Sequence, residues 1–316
     1  MKEQRYIGVD LGGTNIAVGV VTEDGTILHK KSVPTGAQRP FTEIAADMAA
    51  CIRDVVAEAG LTMKDIRAIG IGSPGTLNDA TGVMVYANNF RDGSNVPLRA
   101  LMQRYFDLPI RIGNDANVAA LGETIAGAAK GKKNVVMVTL GTGVGGGIII
   151  DGKIYEGLHA AGAEIGHIML RHAGEPCTCG RRGCWEAYAS ATALVRQTRE
   201  AMRKHPESLM NETPYENVNG RTAFDAARRG DRTAKRVVNT YIKYVAEGLV
   251  DLVNIFRPEV LIIGGGICNE GDFLLKPLKK LVYRYSYGAE LNEKQDIEVA
   301  KCGNDAGIIG AALIAR

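Results

Sequence analysis

Short apolar runs broken by turn residues dominate the start of the chain. Residues 5–11 (RYIGVDL) and 16–22 (IAVGVVT) are strand-like, and a Glu-Asp-Gly turn leads into a third run at 26–32 (TILHKKS). Runs of this length with such punctuation predict a β-meander. The period then changes. Ala45, Met48, Ile52, Val55, Val56 and Ala59 recur at helical spacing across 42–59, and the pattern stops at Gly60. A helix closed by a glycine is expected there. Strand 66–72 (IRAIGIG), a helix over 97–106, strand 109–113 (PIRIG) and a helix over 115–129 complete a first set.

The same order begins again near residue 134. Strand 134–140 (NVVMVTL) is followed by 145–150 (GGGIII), and Asp151-Gly152 turns into a third strand. With residue 10 placed on residue 139, Val9-Asp10-Leu11-Gly12 lies over Val138-Thr139-Leu140-Gly141. After a two-residue gap, Asp24-Gly25-Thr26-Ile27 lies over Asp151-Gly152-Lys153-Ile154. Helices over 186–203 and 231–256, strand 259–263, a helix over 272–285, strand 296–300 and a helix over 305–315 follow, and the polar stretch 205–221 reads as a loop. Both halves therefore read βββαβαβα, and two such halves with a cleft between them form an α/β architecture. The expected division is a small domain over 1–117, completed by the C-terminal helix 305–316, and a larger one over 118–304 that carries an insert at 161–186.

Length and charge narrow the class. The 316 residues suit two domains. Lys and Arg number 38 against 35 Asp and Glu, a net +3 with no basic stripe, which argues against nucleic acid as a partner. No apolar run approaches the roughly 18–20 residues of a membrane span, and the N-terminus shows no signal-peptide core, so a cytoplasmic protein with no membrane partner is expected.

Three of the six cysteines fall within eight residues, in the pattern His167-x9-Cys177-x-Cys179-x4-Cys184. Three thiolates and one imidazole make a closed tetrahedral set suited to Zn²⁺, structural because no position is left for water. Gly180 and Gly183 allow the tight turns this requires. The alternative is three reduced thiols in a loop.

The 39 glycines cluster at turns. Gly141-x-Gly143-x-x-Gly146 matches a dinucleotide fingerprint, but that fingerprint must open a helix and here a hairpin follows. Gly127-AAK-Gly131-Lys132 is one residue short of a P-loop. Two matched hairpin turns fit better, Gly12-Gly13-Thr14-Asn15 and Gly141-Thr142-Gly143, whose backbone N–H groups and short polar side chains would grip the phosphates of a triphosphate. Gly264-Gly265-Gly266 ends a strand and offers backbone approach to an adenosine moiety; a plain strand-to-helix turn is the alternative.

Gly113-Asn114-Asp115-Ala116-Asn117 lies between a predicted strand and a predicted helix. One reading is an N-cap. The other places Asp115 at the carboxyl end of a strand, where it would take a proton from a hydroxyl attacking phosphorus, with Mg²⁺ neutralising charge. Glu164, His167 and Glu186 bracket the cysteine segment, and a ring nitrogen of His167 left over from zinc would be an N–H donor. With Asn114 they form a set suited to polyhydroxylated ligands. For Glu186 alone a solvated helix start is the alternative.

Together these residues resemble the ROK family of sugar kinases and sugar-responsive repressors, and most of all its bacterial glucokinases. DLGGTN at 10–15 and LGTGVGGG at 140–147 resemble the family's phosphate motifs, AGAEIGH at 161–167 with CTCGRRGCWE at 177–186 its zinc and sugar signature, and IIGGGI at 262–267 its adenosine motif. The resemblance implies an actin-like ATPase (ribonuclease H-like) fold with an interdomain cleft and a zinc insert. It implies transfer of a phosphoryl group from ATP, with Mg²⁺, to the 6-hydroxyl of glucose. Asp115 would be the base, and Asn114, Glu164, His167 and Glu186 would contact the other hydroxyls. Asp10 would lie near the metal and phosphates, Gly75 in SPG at 73–75 would contribute backbone, and Asn89 would touch sugar. Phe90 and Arg91-Asp92-Gly93 depart from the family's pattern after that asparagine. Trp185 stands where Leu is commoner and is expected only to repack the zinc knuckle. A homodimer or dimer of dimers is implied. The rival acceptors are N-acetylmannosamine, allose, fructose and mannose. A repressor would need a helix-turn-helix ahead of the first strand, where about four residues are expected to leave no room. A zinc-binding interaction module is the remaining class.

Overall fold

A computed structural model of the chain describes residues 4–288, 290 and 294–316. Along the chain it contains β1 (Arg5–Leu11), β2 (Asn15–Thr22), β3 (Ile27–Pro34), α1 (Phe41–Glu58), β4 (Ile66–Ser73), β5 (Thr76–Asn78), β6 (Val83–Tyr86), β7 (Ser94–Val96), α2 (Leu98–Gln103), β8 (Ile110–Asn114) and α3 (Asp115–Ile125). Then come β9 (Val135–Leu140), β10 (Val144–Ile150), β11 (Lys153–Ile154), α4 (Glu186–Ala189), α5 (Ala191–Lys204), α6 (Thr222–Arg228), α7 (Arg232–Phe256), β12 (Val260–Gly264), α8 (Asp272–Tyr285), β13 (Asp296–Val299) and α9 (Ala306–Ile314).

The repeat read from the sequence is present in the topology. One sheet has the order β3-β2-β1-β4-β8 and the other β11-β10-β9-β12-β13, so each half places its third, second, first, fourth and last strand in the same succession. The fold is mixed α/β. Two compact units result. One comprises the chain up to Val135, Gly147–Ala163 and Ala300–Arg316; the other comprises Val136–Gly146 and Glu164–Val299. α3 lies whole in the first unit, so the chain first crosses at Val135/Val136 and not at 117/118.

In the first unit β1 pairs antiparallel with β2 and parallel with β4, which pairs parallel with β8. The pleat sorts β1 by period two. Ile7, Val9 and Leu11 face Ile44, Met48, Ile52 and Val55 of α1, all fully buried. Tyr6 on the other face packs with Ile308, Ile309 and Ala312 of α9. Gly8 and Gly70 lie under α9, where any Cβ would overlap the carbonyls of Ile308 and Ala311. The glycines thus let α9 sit directly on the sheet.

Four local features differ from or add to the expectations. The helix expected to 129 ends at Ile125, because the chain bends back and the Ala128 N–H bonds the Glu123 carboxylate at 2.8 Å. The helix over 186–203 breaks at Ser190, whose hydroxyl caps α5 by accepting from the Ala193 N–H at 3.0 Å. Residues 76–96 form a three-stranded antiparallel sheet, β5-β6-β7, whose strands of three or four residues are too short to show alternation. Residues 209–212 and 215–217 in the expected loop form 3-10 turns, and α6 follows them unforeseen. No described helix is long and apolar enough to cross a membrane.

Candidate functional site

In the first unit, parallel pairing aligns the carboxyl ends of three strands. Asp10 pairs with Gly72, and Ser73 pairs with Asn114. Asp10, Asn114 and Asp115 therefore emerge at one edge of the sheet, the edge where α/β sheets bind ligands. Asn114 is the N-cap of α3. Its Oδ1 accepts from the Ala116 and Asn117 N–H groups at 3.0 and 3.2 Å, while its Nδ2 donates to the Gly75 carbonyl at 3.1 Å. The capping reading thus holds for Asn114, and Asp115 is the first helical residue. Asp115 Oδ1 accepts from the Ala116 N–H at 2.8 Å. Burial raises the Asp115 pKa although the Ala116 N–H, its own N–H and the Asn114 side chain pull it down. Burial, and secondarily the charge of Asp115, push Asp10 up to about 6. Asp10 rests against Gly307 of α9, where a Cβ would come within 2.5 Å of its Oδ2.

The turn Gly12-Gly13-Thr14-Asn15 is closed by the Gly12 N–H donating to the Asn15 carbonyl at 2.9 Å. A residue missed in the sequence, Thr35, holds it from behind. Thr35 is fully buried; its Oγ1 donates to the Gly12 carbonyl at 2.7 Å and its N–H to the Thr14 carbonyl at 2.9 Å. No local pattern signals this role, since Thr35 merely follows β3. Asn89 is exposed and lies beside Gly13, 3.3 Å from where a Cβ would stand. The departure at Phe90 has a packing role: its buried ring meets Phe41 of α1 edge-on at 5.5 Å and anchors the loop. Gly75 adopts φ +92°, and a Cβ there would overlap the Tyr86 carbonyl. Only glycine fits.

In the second unit, Gly141-Thr142-Gly143 joins neighbouring strands β9 and β10 and opens no helix. The Gly141 N–H donates to the Gly143 carbonyl at 3.0 Å, and the Thr142 carbonyl accepts from Thr192 Oγ1 at 2.8 Å. Gly143 has no room for a Cβ because Glu186 Oε2 occupies that place, where it accepts from the Val144 N–H at 3.0 Å. Glu186 Oε1 accepts from Thr178 Oγ1 at 3.2 Å. Glu186 thus joins the turn to the cysteine segment and is not merely a solvated helix start. Glu164 is exposed and begins the turn Ile165–His167, whose last N–H donates to the Glu164 carbonyl at 3.0 Å. Gly264 ends β12. Gly265 has φ +90° and sits on the Leu140 carbonyl at the end of β9, so the candidate adenosine turn and the candidate phosphate turn 141–143 share one strand end.

His167, Cys177, Cys179 and Cys184 converge, with ligand atoms all within 4.8 Å of one another. Cys179 Sγ lies 3.6 Å from Cys184 Sγ, and Cys177 Sγ 3.7 Å from His167 Nδ1. A tetrahedron with Zn–S of about 2.3 Å and Zn–N of about 2.0–2.1 Å has edges of roughly 3.5–3.8 Å. The four residues therefore fit zinc in size and donor type. Trp185 does more than repack the knuckle. It is fully buried, its Nε1 donates to the Tyr244 carbonyl of α7 at 2.7 Å, and its ring fills the space a Cβ on Gly248 would take. The indole fastens the cysteine segment to the longest helix.

The fold and these motifs define a class, and the comparisons agree. The ROK family model matches residues 6–316. The chain belongs to the ROK family. A glucokinase of Streptomyces coelicolor is 40% identical over 98% of this chain and 97% of its own length. A glucokinase of Thermotoga maritima is 37% identical over 100% and 98%. The crystal structure of a ROK family glucokinase from Streptomyces griseus, in complex with glucose and AMPPNP, superposes with a TM-score of 0.81 at 37% identity, covering 99% of both chains.

Proposed function

We propose that this protein, a ROK family sugar kinase, transfers the γ-phosphoryl group of ATP to the 6-hydroxyl of glucose. The observation that carries the finer reading is Asp115, a half-buried carboxylate at the carboxyl end of β8 whose raised pKa suits a base that must accept a proton. Asn114 fixes its approach through the cap and the Gly75 carbonyl. The turn 12–15 offers N–H groups and side-chain donors to phosphate oxygens, and the turn 141–143 and Gly264-Gly265 offer the same to the remaining phosphates and the adenosine. Glu164, His167 and Glu186 bind the other sugar hydroxyls, and Asn89 adds a further polar contact. Asp10 and the phosphates are the groups suited to Mg²⁺, a hard cation that takes oxygen ligands. Magnesium, when bound, neutralises charge on the phosphates. Zinc held by His167, Cys177, Cys179 and Cys184 is structural.

Sugar-dependent ADP release with MgATP tests the reading across glucose, mannose, N-acetylmannosamine, allose and fructose, with Asp115→Asn alongside. Selective turnover of glucose that the variant loses is expected. Turnover of another sugar alone overturns the substrate, and no turnover on any sugar overturns the kinase assignment.

A further inference from the structure

The first unit contains a buried carboxylate for which the proposed chemistry has no use. Glu123 of α3 is fully buried. Its oxygens accept three backbone N–H groups: Ala128 at 2.8 Å, Lys301 at 3.1 Å and Cys302 at 2.7 Å. A buried carboxylate held this way is costly to disturb, because any donor that leaves exposes an unmet charge. The three donors come from two places. Ala128 belongs to the bend that ends α3, whereas Lys301 and Cys302 lie one and two residues past Ala300, where the chain re-enters this unit, and lead into α9. Gly127 leaves room for the arrangement, since a Cβ there would overlap Glu123 Oε2.

The two helices so tied touch backbone to backbone. A Cβ on Gly122 would overlap the Ala306 carbonyl, and one on Gly310 the Val118 carbonyl. Asp115 is the first residue of α3, and Gly307 in the first turn of α9 is the seat of Asp10. We propose that Glu123 is a positioning residue: by fastening residues 301–302 to the end of α3 it fixes the α3–α9 crossing, and with it the placement of Asp115 relative to Asp10. The inference rests on the proposed kinase reaction. Its physical basis is that misplacing a reacting group by about 1 Å costs up to 10²-fold in rate.

Glu123→Gln removes the charge and turns one amide donor toward the backbone N–H groups. Gly127→Ala keeps the charge but pushes the carboxylate, and the Cys302 Sγ beside it, out of place. The experiment measures kcat and KM for both substrates per folded molecule, with hydrogen exchange at the Lys301 and Cys302 amides. In Glu123→Gln, kcat is expected to fall about 10- to 100-fold while both KM values stay within about 3-fold, with faster exchange at those two amides. Gly127→Ala is expected to show the same pattern more weakly, and Glu123→Asp to recover part of the loss. Lower thermal stability with unchanged kcat would overturn the inference and leave Glu123 a structural residue. If Glu123→Gln does not fold, Gly127→Ala decides by the same criterion. Wild-type protein without sugar-dependent turnover would instead reject the kinase reading itself.

Discussion

The two sheets share one strand order, yet they carry different chemistry. At the aligned position β1 has Asp10 where β9 has Thr139. The first unit thereby places two half-buried carboxylates with raised pKa values, Asp10 and Asp115, at a strand edge. The second unit puts glycines and a threonine at the end of β9, with the His-Cys cluster joined to that turn through Glu186. Insertions widen the difference. Between β4 and α2 the first half inserts the small sheet β5-β6-β7, and between β11 and β12 the second half inserts the cysteine segment and three helices, α4 to α6, ahead of the repeat's own helix α7. A repeated scaffold carries a pair of carboxylates in one copy and glycine turns with a His-Cys cluster in the other. What the repeat preserves is backbone geometry; side chains at matched positions are free to diverge.

The largest expected effect of breaking this asymmetry is at Asp115. Asp115→Asn keeps the shape and removes the proposed base, so kcat for sugar phosphorylation should fall about 10²- to 10⁴-fold, read by coupled ADP assay. In the second unit, stripping the metal with a chelator, or replacing buried Cys184 by Ser, removes the centre that closes the knuckle. Activity and the circular-dichroism signal of Trp185 should fall together, and added zinc should restore both in the chelated wild type. Unchanged stability after verified metal loss would contradict a structural role.

One glycine from each turn gives a finer contrast. Gly143→Ala must displace Glu186 and cost its bond to the Val144 N–H. A charged hydrogen bond of this kind is worth about 1.5–3 kcal/mol, so kcat/KM should fall about 10- to 100-fold. Gly13→Ala meets only the exposed Asn89 side chain at 3.3 Å, and its effect should stay within about 3-fold. Equal effects would mean that the two turns do not differ in the way described.

The smallest effect is on stability. Burial raises Asp10 from 3.8 to about 6. Between those values the folded protein binds more protons than the unfolded one, so the contribution of this group to stability falls as pH rises through that window. Asp10→Asn should therefore stabilise the metal-free protein at pH 8, by at most about 3 kcal/mol, and change little at pH 4. Denaturant titration at the two pH values measures it; equal gains at both would contradict the buried-charge account.

Much of this was legible in the residues. Periodicity marked the strands β1 to β4 and the helices α1 and α7, because long regular elements with one buried face repeat their apolar residues at a fixed spacing. The glycine turns and the Cys-His pattern were readable because close backbone approach and metal coordination each admit few residue types. Hidden were the short strands β5 to β7, the break at Ser190 and α6, whose runs are too brief for a period to emerge.

The sequence by itself determined which strands exist, that they recur in two sets, and which side chains are chemically fit to bind phosphate, zinc or a proton. Tertiary structure alone decided that Asp10 and Asp115 share a low-dielectric edge, that Thr35 backs the first phosphate turn, that Glu186 fills the space beside Gly143, and that Glu123 joins α3 to residues nearly two hundred positions away. The physical reason is common to all four. Charge interaction, burial and hydrogen-bond satisfaction depend on distance in space, and distance in space between residues far apart in the chain is set only when sheets and helices pack.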